Sequence, residues 1–128
     1  RILNKNGNKE SRKVNILFST LFLLELMGDE FKSISHHLIY DFKEYNYKSL
    51  VEVTGSIKEQ IDLYYSMFYK FDISKAIKMS GLDKGRYFEV SSTIKKIKDD
   101  AAKEIFHHLR IITRYLNALT ELRIEMEF

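Results

Sequence analysis

The chain of 128 residues contains no cysteine, no proline and no tryptophan, and only five glycines. The lack of cysteine excludes disulfides and thiolate chemistry, which fits a reducing compartment, and we expect a cytoplasmic protein. The lack of proline and the scarcity of glycine disfavour turn-rich β-sandwiches, because tight turns depend on both residues. The composition therefore favours helices.

Strong charge of one sign and long apolar runs are also missing. The net charge is only +3, which is weaker than the basic surface typical of a dedicated nucleic-acid-binding protein. The longest apolar stretch, from Val14 to Met27, is interrupted by polar residues that include Glu25. A membrane span needs about 20 consecutive apolar residues, so we expect no transmembrane segment.

What is present is helical periodicity in a chain long enough for one domain with a real core. We predict an all-α fold, a bundle of four to five helices with a long C-terminal helix. We predict a flexible basic lead-in over residues 1–10 and a single helical-bundle domain over residues 11–128. Gly28 and Gly81 are expected to end helices. The helix before Gly28 is apolar on nearly every face, which predicts a central position in the bundle.

The C-terminal helix is expected to begin near Ser91. Its apolar residues recur at alternating steps of three and four, as in a coiled coil, until Arg123 interrupts the pattern. The members of this predicted seam are Ala102, Ile105, Leu109, Ile112, Leu116 and Leu119. Two interpretations stay open: the helix packs within the bundle, or its end protrudes and forms a dimer.

All four histidines occur as two adjacent pairs, 36–37 and 107–108. Asp41 follows His37 by one helical turn, and Glu104 precedes His108 by one turn. Glu104 also precedes His107 by three residues, which is the Glu-x-x-His spacing of carboxylate-bridged metal bundles, although those bundles use more ligands than this chain supplies. We interpret the pairs as unrelated and expect no cofactor. The alternative is a metal site formed by His37, Asp41, Glu104 and His108.

A second alternative concerns residues 72–98, "DISKAIKMSGLDKGRYFEVSSTIKKIK". A short helix, a glycine turn and a second helix resemble the helix-turn-helix of DNA-binding regulators. That resemblance implies DNA as a possible partner, with the C-terminal helix as the dimer contact. The residues that would contact DNA are Lys84, Arg86, Lys95, Lys96 and Lys98.

The chain carries no glycine-rich phosphate loop, no nucleophile elbow and no His-Glu-x-x-His motif. Enzymatic activity is therefore uncertain and less favoured than binding. We predict a non-enzymatic protein-interaction or regulatory module, whose partner is another protein or a second copy of itself. Tyrosines enriched on two helices suggest the contact surface. Its predicted members are Tyr64, Tyr65, Tyr69, Arg114 and Tyr115.

Overall fold

A computed structural model describes the backbone of residues 2–43 and 47–128, and the side chains from Gly7 onward within those ranges. The described chain forms four helices and no strand, which confirms the predicted all-α class. None of these helices is both long enough and apolar enough to cross a membrane. The helices are α1 (Ile2–Tyr40), α2 (Tyr47–Tyr69), α3 (Ile73–Lys96) and α4 (Asp100–Glu127).

The four helices run alternately up and down, as in a four-helix bundle. Glu30 of α1 contacts His108 of α4, whereas Leu24 lines the same hollow as Leu116, so these two helices are antiparallel. α4 packs against all three other helices, while α1 packs mainly on α4. The bundle is therefore closed around α4 and open between α1 and α2.

The central position of α4 follows from its predicted seam. All six seam residues are exposed by 1% or less, and Phe106 beside them is fully buried. Two apolar positions in every seven residues give the helix one continuous face that the neighbouring helices cover. The seam is thus covered within the chain, which favours the interpretation that the helix packs within the bundle.

The glycines expected to end helices do not end them. α1 continues through Gly28 and α3 continues through Gly81. A glycine inside a helix costs about 1 kcal/mol relative to alanine. Burial of Met27 and Ile34 on one stripe of α1, before and after Gly28, outweighs that cost. Residues 2–10, expected as a loose lead-in, also belong to α1.

The helix-turn-helix predicted over residues 72–98 is not formed, because α3 is also continuous through Gly81. Met79 and Val90 are buried on one face of α3, and a turn at Gly81 would separate them. The chain breaks later, at Ile97, whose backbone is extended. Asp99 then caps α4 by accepting a hydrogen bond from the Ala102 amide at 3.0 Å. α4 consequently begins at Asp100 and not near Ser91.

Arg123, which interrupts the seam pattern, is only 8% exposed. Its Nε donates to the carbonyl of Phe68 at 3.0 Å, near the end of α2, and its Nη1 lies 3.1 Å from Glu127. The guanidinium also lies 5.0 Å from the ring centre of Phe71. Arg123 therefore satisfies a helix-end carbonyl that has no partner within α2.

Candidate functional site

The antiparallel packing of α1 on α4 brings one histidine of each pair together. The ring centres of His37 and His108 lie 5.9 Å apart. One ligand atom from each of His37, Glu104 and His108 lies within 4.8 Å of the other two. We call these three residues the histidine cluster. The interpretation that the histidine pairs are unrelated is therefore wrong.

Two further carboxylates contact the Nδ1 atoms of these two histidine rings. Asp41 Oδ2 lies 3.2 Å from Nδ1 of His37, and Glu30 Oε2 lies 2.5 Å from Nδ1 of His108. With each Nδ1 engaged, Nε2 is the nitrogen left for another ligand. Asp41, which we predicted as a ligand, thus contacts His37 and is not part of the histidine cluster. Glu30 was not among the predicted residues, although it lies two turns before His37.

The other histidine of each pair lies outside the cluster. His36 lines a shallow pocket of about 300 Å³ together with His37, His108, Lys32 and Ser33. His107 faces away, and its Nδ1 accepts a hydrogen bond from Arg110 at 2.9 Å. The arrangement therefore offers two imidazoles and one carboxylate beside a pocket that is open to solvent.

A second feature is the open, apolar groove between α1 and α2. It consists of two hollows of about 490 and 260 Å³ that share Ile61 as a lining residue. Leu24 and Phe31 of α1 form part of one wall, while Leu109 and Leu116 of α4 contribute to the lining. The groove thus resembles the space that a further helix would occupy in a closed bundle.

The exposed side of α1 continues this apolar surface. Four residues at steps of three, four and three, which we call the α1 seam, are each at least 40% exposed: Val14, Leu17, Leu21 and Leu24. The neighbouring side chains of Phe18 and Phe22 are exposed as well. The expectation that this apolar helix is central is therefore wrong, because α4 holds the centre.

The five residues predicted for protein interaction do not form one surface. Tyr65 and Tyr69 are exposed at the rim of the groove. Tyr64 is buried, which raises the pKa of its hydroxyl to about 12, and Tyr115 packs partly against the core. Arg114 faces α3, where it donates to the hydroxyl of Tyr87 at 2.9 Å.

The residues predicted for DNA contact are also divided. Lys84, Lys95, Lys96 and Lys98 are exposed, but Arg86 is largely covered. The guanidinium of Arg86 is held by Glu89 at 3.0 Å and lies 3.8 Å from Glu59. Its charge is therefore already compensated within the chain.

A third feature is a carboxyl group buried between α2, α3 and α4. Asp83 is only 3% exposed, and its Oδ1 accepts a hydrogen bond from the amide nitrogen of Gln60. Burial raises the pKa of Asp83 to about 6, against the opposing effect of the Gln60 hydrogen bond. The second oxygen of Asp83 and the amide oxygen of Gln60 have no partner.

Comparison of the chain with models of known protein families, with curated proteins and with solved structures finds no match. A functional assignment therefore rests on the geometry of the chain itself. That geometry offers an exposed apolar surface along α1 and a separate group of two histidines and one glutamate, residue types that can bind a metal.

Proposed function

We propose that the chain is a non-enzymatic protein-interaction module that self-associates through the α1 seam. The observation that carries this proposal is the segment 14–24 of α1, which contains no charged residue and yet is largely exposed. Monomeric proteins rarely expose contiguous apolar patches larger than a few hundred Å² (roughly 300–600). A regulatory role in a reducing compartment such as the cytoplasm is part of the same proposal.

The spacing within the α1 seam favours a second copy as the partner. When two α1 helices pair antiparallel about Ser19, Val14 lies opposite Leu24 of the second copy, and Leu17 lies opposite Leu21. The same residues then contribute on both sides, which is the requirement for a two-fold symmetric interface. Antiparallel coiled helices pair apolar positions in this manner.

The charges that flank segment 14–24 support the same arrangement. Lys13 precedes the segment and Glu25 follows it. Antiparallel pairing about Ser19 places each Lys13 at the level of the second copy's Glu25, so opposite charges come to the same ends of the interface. Parallel pairing would instead align like charges, which is unfavourable.

The groove extends the proposed interface beyond the seam. Leu24 belongs both to the α1 seam and to the lining of the hollow that Tyr65 and Tyr69 border. A helix that covers Leu24 therefore reaches both tyrosines, which are a residue type enriched in protein interfaces. DNA binding has less support, because α3 continues through Gly81, where a helix-turn-helix requires a turn.

Leu21→Glu is expected to convert a dimer into a monomer, since it places a charge in the centre of the apolar contact. Light scattering coupled to size-exclusion chromatography, over a wide range of protein concentration, measures the molar mass and so distinguishes dimer from monomer. The matched control is Ile77→Glu, which alters an exposed apolar residue of α3 outside the seam and should leave the dimer intact. A monomeric wild-type chain, or equal effects of both variants, would contradict the proposal.

A charge exchange tests the antiparallel orientation. Lys13→Glu should weaken the dimer, because each end of the interface then carries two glutamates and no compensating lysine. Adding Glu25→Lys to that variant should restore it. Failure of the double variant to recover would exclude antiparallel pairing about Ser19.

A further inference from the structure

We propose that the histidine cluster, His37, Glu104 and His108, binds a divalent first-row transition metal, with Zn²⁺ as the first candidate. The proposal is independent of self-association, because no α1 seam residue takes part. Its starting point is that the three side chains come from two different helices and still bring their ligand atoms within 4.8 Å of one another.

The donor set fits this class of metal. Two imidazoles and one carboxylate are the protein ligands of many catalytic zinc sites, which leave the fourth position open to water. The same combination also binds Fe²⁺ in non-haem iron proteins. Mg²⁺ and Ca²⁺ prefer oxygen ligands alone, so they fit the cluster poorly. The chemistry therefore indicates a borderline-soft metal.

The two outer carboxylates are arranged as metal-bound histidines require. A ligating histidine usually donates its other ring N–H to a carboxylate, which fixes the tautomer and the direction of the ring. Glu30 lies at that position for His108, and Asp41 lies there for His37. Both rings are thus oriented by partners outside the cluster.

The separation of the ligand atoms allows closure around an ion. Bonds from zinc to nitrogen or oxygen of about 2.1 Å place tetrahedral ligand atoms about 3.4 Å apart. Atoms up to 4.8 Å apart therefore need to approach by roughly 1.4 Å. Glu104 is exposed, so its side chain is free to rotate toward an ion without a change in the packing of α1 on α4.

The surrounding charge favours a cation. Glu30, Asp41 and Glu104 contribute three carboxylates around two imidazoles that must be neutral to bind metal. Lys32 is the cationic side chain that lines the adjoining pocket. A dication therefore offsets negative charge that the helices have brought together, and the open pocket gives it access.

Calorimetric titration of the full chain, without a polyhistidine tag and after treatment with EDTA, tests the site. We expect one equivalent of ZnCl₂ to bind and to raise the melting temperature. His108→Ala and Glu104→Gln should each weaken binding by about 100-fold or more, and Glu30→Gln by about 10- to 100-fold. Glu104 is exposed, so its variant keeps the fold even where a histidine variant does not.

The control is His107→Ala, which removes the adjacent histidine of the same pair and should leave zinc affinity unchanged. Parallel titrations with Fe²⁺ under anaerobic conditions and with MgCl₂ identify the metal class. Tight binding of either Zn²⁺ or Fe²⁺ that depends on His108 supports the proposal. It is overturned if neither metal binds, if Mg²⁺ binds as tightly, or if His107→Ala and His108→Ala have equal effects.

Discussion

Replacing Phe106 by alanine should lower the free energy of unfolding by about 3–5 kcal/mol, the range observed for truncation of a buried phenylalanine. Phe106 is fully buried on α4, the helix that all the others cover. Truncation removes apolar surface that folding buries and leaves a cavity that the surrounding helices fill only in part. The loss is large against a typical domain stability of about 5–15 kcal/mol.

Urea denaturation followed by circular dichroism measures this change. The matched control is Phe88→Ala, because Phe88 lies on α3 and is 61% exposed. That substitution should change the free energy of unfolding by about 0.5 kcal/mol or less. Equal losses for the two variants would mean that α4 is not the centre of the core.

The burial of one face of α4 could be predicted because its apolar residues recur at regular spacing. Six apolar residues at alternating steps of three and four specify one buried face, and every one of them is buried. A single residue carries far less information. Gly28 and Gly81 have the local preference of helix ends, but apolar stripes on both sides of each glycine make a continuous helix more favourable.

The position of α1 was mispredicted because periodicity describes a helix and not its neighbours. An apolar helix can be surrounded by its own chain or left for another molecule. In this fold α4 already occupies the centre, and Phe18, Leu21 and Phe22 remain exposed. Whether the apolar residues of α1 are covered depends on tertiary packing, which a local sequence pattern does not specify.

The histidine cluster was predictable only in part. Helical spacing correctly pairs His37 with Asp41, but the proximity of His37 to His108 depends on how α1 and α4 align. A shift of one helical turn, about 5.4 Å, would separate the two rings. The contact between Glu30 and His108 was not predicted either, because these two residues are 78 positions apart and meet only through the alignment of α1 with α4.

Asp83→Asn should raise the free energy of unfolding by about 2 kcal/mol near pH 8 and by much less near pH 4. The folded-state pKa of Asp83 is about 6, above the ordinary value of 3.8. The folded chain therefore holds this proton over a range in which the unfolded chain has released it. Stability consequently falls as the pH rises from about 4 to about 6, and it stays lowered above that.

The full difference of about two pKa units would correspond to about 3 kcal/mol. We expect somewhat less, because Asp83 also lines a pocket of about 280 Å³ between α3 and α4 that admits water. Urea denaturation at about pH 4 and about pH 8 measures the effect. The control is Asp62→Asn, an exposed carboxylate paired with Lys58, which should change stability by about 0.5 kcal/mol or less at either pH.

The unpartnered second oxygen of Asp83 and the unpartnered amide oxygen of Gln60 explain why asparagine should fit. A protonated Asp83 can donate from its second oxygen to the free amide oxygen of Gln60 while it accepts from the Gln60 nitrogen, so both orphaned atoms become paired. Asparagine makes the same two hydrogen bonds at every pH. A variant that is no more stable than the wild type near pH 8 would show that the buried carboxylate is already neutralised by another group.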